Sequence, residues 1–157
     1  QMGDGAAVFV NRALNVNSRR VGQVFLNRIH TESDNDWNYH NYVKTNFSKV
    51  SDVNKMNELK GKIWGKYIKK MMDKNETSQK LWSASNVVSP NGSGYNWNYL
   101  SIDTYMTYGD ALDGGWKSTP TIPDLSEINS LMGGGFYKQV MWRVVMSVNS
   151  EGEFRKH

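Results

Sequence analysis

The chain has 157 residues, of which 38% are hydrophobic and 22% are charged, and its formal net charge is +4 at pH 7. These values fit a soluble globular domain with its own core, and no apolar run approaches the roughly 18 residues that span a bilayer. Cysteine is absent, which excludes disulfides and thiolate metal sites.

The N-terminal part of the chain carries apolar residues mainly at helical spacing. Residues 20–29 place their apolar side chains on one helical face, although a strand through 23–29 is the alternative. Residues 30–38 are polar and predict a turn-rich loop. Residues 39–50 carry a second apolar stripe, which predicts another helix.

Residues 51–74 give the clearest pattern in the chain, a helix with an apolar face and a basic face. Ser51 or Asp52 can cap its start, because a side-chain oxygen accepts hydrogen bonds from free backbone N–H groups. The apolar face consists of Val53, Met56, Leu59, Ile63, Trp64, Tyr67, Ile68, Met71 and Met72. Lysines crowd the opposite side, and we expect such a face to attract an anionic partner.

The pattern changes after the loop signal at 89–94. Residues 76–84 predict a short helix, whereas 95–108 and 136–149 alternate like strands. We expect a single domain over 1–157, with a helical part over about 6–84 and a strand-rich part over about 95–149. Helices first and strands later predict an α+β fold, in which N-terminal helices pack on a C-terminal antiparallel sheet.

Five residues are candidates for catalysis. His30 and His40 flank the polar loop, and histidine titrates near neutral pH. Asp103 and Tyr105 share one face of the strand 95–108, and Arg143 lies on the strand 136–149. If these two strands pair with these faces together, a carboxylate, a phenol and a guanidinium meet on an open sheet surface. Metal-independent RNA cleavage needs such a base, acid and cation.

Two further sets of residues are candidates for binding RNA. The lysines on the basic face of 51–74 would guide the phosphates, namely Lys62, Lys66, Lys69 and Lys70. Aromatic side chains on the same face of the strand 95–108 as Asp103 would stack on bases, namely Tyr95, Trp97 and Tyr99. We expect no metal and no cofactor, because the chain has no phosphate-binding loop and no regular metal-ligand spacing.

The order of helices followed by a sheet with polar residues on its open face is similar to that of small bacterial ribonuclease toxins of the barnase and RelE kind. The similarity concerns element order and polarity, and no motif of those families matches residue for residue. It implies a small basic toxin domain that cleaves RNA and a cognate immunity protein as its partner. The start Gln-Met-Gly-Asp-Gly also suggests a fragment delivered from a longer secreted bacterial protein.

Two other hypotheses stay open. The aromatic runs 36–42 and 95–99 are typical of a non-enzymatic carbohydrate-binding or assembly surface, such as that of a virion or surface-complex subunit. Arg28, the run 118–120 and Glu153 with Glu151 also resemble the Arg, Ser-Thr-Ser and Glu-x-Glu order of ADP-ribosyltransferases. Pro120 departs from that motif. This resemblance implies NAD consumption that depends on Glu153.

Overall fold

The computed structural model describes residues 24–34, 40–89, 96–148 and 152–157. Its main element is a five-stranded antiparallel sheet with the strand order β1-β3-β4-β2-β5. The strands are β1 (Phe25–Ser33), β2 (Tyr42–Ser48), β3 (Leu81–Ser89), β4 (Tyr99–Tyr105) and β5 (Lys138–Arg143). A smaller antiparallel sheet pairs β6 (Met146–Val148) with β7 (Phe154–Lys156).

One long helix, here called the central helix, lies between β2 and β3 in the chain. It consists of α1 (Val53–Leu59), a π-helical turn (Lys60–Gly65) and α2 (Lys66–Asp73). The side chain of Asp52 caps its start by accepting a hydrogen bond of 2.9 Å from the backbone N–H of Lys55. The helix predicted over 51–74 is therefore confirmed.

Two short helices, α3 (Tyr108–Asp113) and α4 (Ser126–Met132), follow β4. In the part of the chain that the structure describes, no helix is both long and apolar enough to cross a membrane.

The predicted fold class is wrong, because the N-terminal part is not a helical layer. Residues 42–48 form a strand where a helix was predicted, and the strand alternative for 23–29 is the correct one for β1. Residues 81–89 form β3, which replaces the helix predicted over 76–84. Because β2 pairs with both β4 and β5, an early strand lies between two late strands of one sheet.

The strand β2 was mistaken for a helix because polar residues occupy its inner face, the face toward the central helix. In the sheet register, Asn46 lies opposite Ser101, and Lys44 lies opposite Asp103. These four side chains line a cavity beneath the central helix. A half-buried strand normally turns apolar residues inward, so polar inner residues conceal the alternation that would have revealed β2.

The π-helical turn brings both halves of the central helix onto the sheet. Leu59 and Ile68 are both buried and lie nine positions apart (68 − 59). In a regular α-helix this spacing is about 2.5 turns, which would place the two side chains on opposite sides. A π turn contains more residues per hydrogen-bonded ring and rotates less per residue. As a result, Met56 and Leu59 of α1 and the buried residues of α2 belong to one side.

The core lies between the central helix, the inner face of the sheet and α4. Trp82 and Tyr99 of the sheet are each 1% exposed, and Met56 and Ile68 of the helix are completely buried. Ile128 of α4 closes one end. Full burial of each such side chain contributes on the order of 1.5–3 kcal/mol, and this packing fixes the helix above the polar strands.

Candidate ligand-binding cavity

A cavity of about 260 Å³ lies between the inner face of the sheet and the π-helical turn. Its polar wall comes mainly from the strands and consists of Lys44, Asn46, Gln79, Ser101, Asp103 and Gln139. Its apolar wall comes from the helices, β3 and a loop, and consists of Trp64, Trp82, Trp116, Leu125, Ile128 and Met132. Lys60 and Tyr105 complete the inner end. A concave site with apolar walls and a few convergent polar groups is typical of small-molecule binding.

Asp103 is held by two amide side chains. Asn46 donates a hydrogen bond of 2.6 Å to Oδ2, and Gln79 donates one of 2.8 Å to Oδ1. The amide of Asn46 is itself oriented, because Gln139 donates to its Oδ1 at 2.7 Å. This chain of amides joins β5, β2, β4 and the segment after the central helix, and it fixes the direction of the carboxyl group.

Burial raises the pKa of the Asp103 carboxyl group above its usual range. The hydrogen bonds from Asn46 and Gln79 and the positive charges of Lys60 and Lys44 oppose that rise, but burial is the larger effect. Asp103 therefore combines a fixed position with a readiness to hold a proton, which is the combination that acid–base chemistry requires.

Lys60 faces Asp103 from the π-helical turn. The residue is 8% exposed, although lysine is almost never buried without a partner. Burial lowers the pKa of its ammonium group, and the charge of Asp103 partly offsets that effect. None of the ion pairs among the described residues involves Lys60, so its amine interacts with Asp103 without forming a salt bridge.

Trp116 is placed in the cavity wall by the segment that follows the central helix. It forms an isolated antiparallel bridge with Thr77, and the backbone N–H of Ser78 donates to the carbonyl of Gly115 at 2.7 Å. Gly115 has φ +68°, and a Cβ there would lie 3.0 Å from the ring of Tyr105. Only glycine combines this backbone conformation with so close an approach, so Gly115 lets the loop that carries Trp116 lie against Tyr105 and Ser78.

The cavity opens toward β5 and α4. Gln139, Asn129 and Phe136 line it and are exposed to solvent, whereas Lys60 and Tyr105 at its inner end are buried. A molecule that enters between β5 and α4 would therefore reach the Lys60 amine and the Asp103 carboxyl group at the inner end.

The structure places three predicted catalytic residues on one face, but not in one site. Asp103 and Tyr105 line the cavity, and burial raises the pKa of Tyr105. Arg143 lies opposite Tyr42, which in turn lies opposite Tyr105. Because β2 separates β4 from β5, Arg143 is two strands from Tyr105, roughly 10 Å across the sheet. Arg143 is exposed and does not line the cavity.

His30 is a contact between the sheet and the central helix. Its Nε2 donates a hydrogen bond of 2.7 Å to the carbonyl of Asn57, and its ring stacks on Trp82. A Cβ at Gly61 would lie 2.4 Å from the His30 ring, so the imidazole fills the space that glycine leaves in the π-helical turn. His40 is half-buried just before β2, three strands away from β1 in the sheet order.

The four predicted RNA-binding lysines lie outside the cavity. Lys62 pairs with Glu58 at 2.7 Å, and Lys69 pairs with Asp73. Lys66, Lys69, Lys70 and Lys74 surround a shallow concavity together with Glu32 and Asp73. The basic surface is thus concentrated on α2, and two acidic side chains lie within it.

The predicted aromatic set does not share one face. Tyr99 is buried in the core, and burial raises its pKa. Trp97 packs edge-on against Phe47 and lines a groove with Tyr137 and Trp142. Tyr95 lies outside the described residues. The carbohydrate-binding or assembly hypothesis would place its partner in this groove, and it stays a prediction.

The residues that resemble an ADP-ribosyltransferase motif are widely spread in the fold. Arg28 is exposed on β1, Ser118 and Thr119 are exposed after Trp116, and Glu153 is exposed next to β7. Glu151 lies outside the described residues. This resemblance also stays a prediction.

Sequence reasoning missed Lys60 and the amides around Asp103. A signal for Lys60 was present, because it lies four residues after Met56 and four before Trp64, and so interrupts an apolar stripe. For Asn46, Gln79 and Gln139 no local signal exists, because their meeting depends on a strand order that the chain does not reveal.

Comparison with known proteins assigns no family to this chain. No protein-family model, no curated protein and no solved structure matched it. The functional inference therefore depends on the geometry and chemistry of the cavity.

Proposed function

We propose that this protein binds a compact polar organic molecule in the cavity between the central helix and the sheet. The observation that supports this proposal is the pairing of a buried amine, Lys60, with an amide-held carboxyl group, Asp103, inside walls of tryptophan. Burying a charged group costs free energy unless a partner pairs with it and forms hydrogen bonds to it. A ligand with complementary polar groups would be that partner.

The size of the cavity limits the ligand to about one or two rings. A cavity of about 150 Å³ holds benzene, and sites for drug-sized ligands start near 300 Å³. The present cavity, of about 260 Å³, lies between these values. The flat side chains of Trp64, Trp82 and Trp116 favour a ring.

The polar groups define the substituents of the ligand. The Lys60 ammonium group would donate to a carbonyl, hydroxyl or anionic oxygen. The Asp103 carboxyl group would accept a hydrogen bond from a hydroxyl or amino group. A small aromatic alcohol satisfies both requirements, whereas a small aromatic acid or aldehyde supplies the oxygen that Lys60 would bind.

The test is a binding experiment with simple one-ring probes on the whole chain. Benzyl alcohol, benzoate and benzaldehyde should each quench tryptophan fluorescence and raise the melting temperature in proportion to their occupancy. The variant Lys60→Met should weaken benzoate binding, because it removes the cation, whereas Lys62→Met at an exposed position of the π-helical turn should leave binding unchanged. If none of the three probes binds at millimolar concentration, the proposal is wrong.

A second candidate function is the cleavage of RNA by a small effector domain, with a cognate immunity protein as its partner. The basic concavity on α2 favours it, because four lysines there could contact successive phosphates. The predicted catalytic groups are His40, His30, Asp103, Tyr105 and Arg143. Asp103 and Tyr105 would then act on a nucleotide inserted into the cavity.

RNA degradation in the presence of EDTA tests this second candidate. Activity should be lost in His40→Ala or Arg143→Ala, and binding should weaken in the double variant Lys66→Glu/Lys70→Glu and at higher salt. The exposed Lys117 supplies a control, since Lys117→Glu makes the same kind of charge change outside the concavity. Intact RNA at high protein concentration would contradict the hypothesis.

A further inference from the structure

The position of Lys60 gives its amine a chemistry that the other lysines of the central helix lack. Lys62 lies two residues after Lys60, and its side chain is 66% exposed and paired with Glu58. The side chain of Lys60 instead lines the inner end of the cavity, with Asp103 and Tyr105 on the facing strand. Trp64, Trp82 and Trp116 line the same cavity, and Lys60 is buried.

The surroundings of Lys60 make its neutral amine easier to reach than that of a fully exposed lysine. Burial lowers the pKa of the ammonium group, and the Asp103 charge reduces that shift without cancelling it. A neutral amine is the nucleophilic form of lysine, and burial in an apolar pocket is a known way to populate it. Lys44, the second cation that lines the cavity, also acts on Asp103.

We propose that Lys60 forms an imine with the carbonyl carbon of a small aldehyde or ketone bound in this cavity. The proposal rests on the proposed function, because the carbonyl compound must first occupy the cavity. It specifies the ligand class further, since the ligand then carries an aldehyde or ketone group that points to the inner end.

The reaction balances without an oxidant or a reductant. The lone pair of the neutral Nζ attacks the carbonyl carbon, a C–N bond forms, and the electrons of the C=O π bond move to oxygen. One proton moves from nitrogen to that oxygen, which gives a carbinolamine. The nitrogen lone pair then forms the C=N bond as the C–O bond breaks. The remaining N–H proton passes to the departing hydroxyl group, which leaves as water. The products are the imine and one water molecule.

Asp103 is placed to carry the protons of this sequence. Its carboxyl group faces Lys60 and is kept in position by Asn46 and Gln79. It can take the proton that nitrogen loses and return it to the departing hydroxyl group, which is general acid–base catalysis by one residue. The apolar wall limits the access of water, which slows hydrolysis of the imine.

The experiment traps the imine by reduction. The whole chain is incubated with benzaldehyde and sodium cyanoborohydride at neutral pH, and the benzylated lysines are identified by peptide mass mapping. Lys60 should be labelled severalfold faster than the exposed Lys62, because the cavity holds the aldehyde beside its amine and burial lowers the pKa of its ammonium group. Benzylation spread evenly over the exposed lysines would overturn the proposal.

Two variants test whether the fast labelling depends on Lys60. Lys60→Arg keeps the positive charge but cannot form the imine, so the fast adduct should disappear, while Lys62→Met should keep it. Because the mapping is done on the unaltered chain, it decides the question even where a variant does not fold.

Benzyl alcohol separates this proposal from the proposed function. It has the ring of benzaldehyde without the carbonyl group. If benzyl alcohol binds and Lys60 is not labelled, the imine proposal is wrong and the binding proposal stands. If neither benzyl alcohol nor benzaldehyde binds, both proposals are wrong.

Discussion

Lys60 and Lys62 lie in the same π-helical turn, but they have different surroundings. Lys62 is exposed and pairs with Glu58 on the outer side of the central helix. Lys60 is buried on the inner side and faces Asp103. Two residues of one type, two positions apart, therefore differ in chemistry because only one of them is withdrawn from water. The four predictions below test this contrast, from the largest expected effect to the smallest.

Truncating a buried tryptophan of the cavity wall should lower the stability of the protein most. Trp82 is 1% exposed and contacts both the cavity and the His30 ring. Trp82→Ala should reduce the free energy of unfolding by about 3–5 kcal/mol, because a large void remains. Urea denaturation measures this loss. The same experiment on Trp142→Ala, an exposed tryptophan of β5, should show a much smaller loss, and equal losses would contradict the burial of Trp82.

The contacts of His30 with the central helix should have the second largest effect on stability. His30→Ala leaves the Asn57 carbonyl without its side-chain donor, which should cost about 1–3 kcal/mol in unfolding free energy. The exposed neighbour Thr31 provides the matched control, since Thr31→Ala removes no such contact.

A double-mutant cycle with Gly61 sharpens this second prediction. Gly61→Ala alone should be destabilising, because its Cβ would lie 2.4 Å from the His30 ring. In the His30→Ala background the same substitution should become nearly neutral. Additive effects would show that the two residues do not meet.

The pH dependence of stability should distinguish Lys60 from the outer lysines. The pKa of Lys60 is lowered in the folded state, so the unfolded chain binds more protons in the pH range between that lowered value and the ordinary 10.5. Stability contributed by this group should therefore rise with pH across that range, with a slope of at most about 1.4 kcal/mol per pH unit.

Urea denaturation over an alkaline series ending at about pH 10 measures that slope. Lys60→Met should remove it, while Lys62→Met should keep it. Asp103, Lys44 and Tyr105 also line the cavity. Neither variant replaces any of these three residues, so the comparison isolates Lys60. A slope that survives in Lys60→Met would assign the pH dependence to another group.

The smallest effect should come from the outer ion pair. Lys62 and Glu58 are both largely exposed, and solvent screens such pairs strongly. Lys62→Ala should leave the denaturation midpoint unchanged within error, at both low and high salt. A clear loss at low salt would mean that the outer lysines contribute more to the fold than their exposure suggests.

The sequence was sufficient to predict the central helix and the strands β4 and β5, but not the other strands or the strand order. The three-and-four spacing of Met56, Leu59 and Ile63 marks a helix directly, because the pattern is local. The strand order is not local, since β2 lies between β4 and β5. The inner residues of β2 are polar because they line a cavity, and that feature hid the strand.

The candidate site was only partly accessible from the sequence. Asp103 and Tyr105 were recognised as chemically capable residues, and both line the cavity. Their enclosure could not be foreseen, because it depends on which face of β4 the central helix covers. Lys60 could have been noticed as a lysine within an apolar stripe, since burial there requires a reason.

The π-helical turn suggests that the cavity depends on the number of residues in the chain as well as on their identity. With one residue fewer between Leu59 and Ile68, ordinary α-helical geometry would already bring these two side chains to within about 80° of each other around the axis. Packing on the sheet therefore does not require the additional residue. The additional residue instead widens the helix between Lys60 and Gly65, where Lys60 and Trp64 line the cavity. A single-residue deletion here should keep the helix on the sheet but change the spacing of these two side chains in the cavity wall.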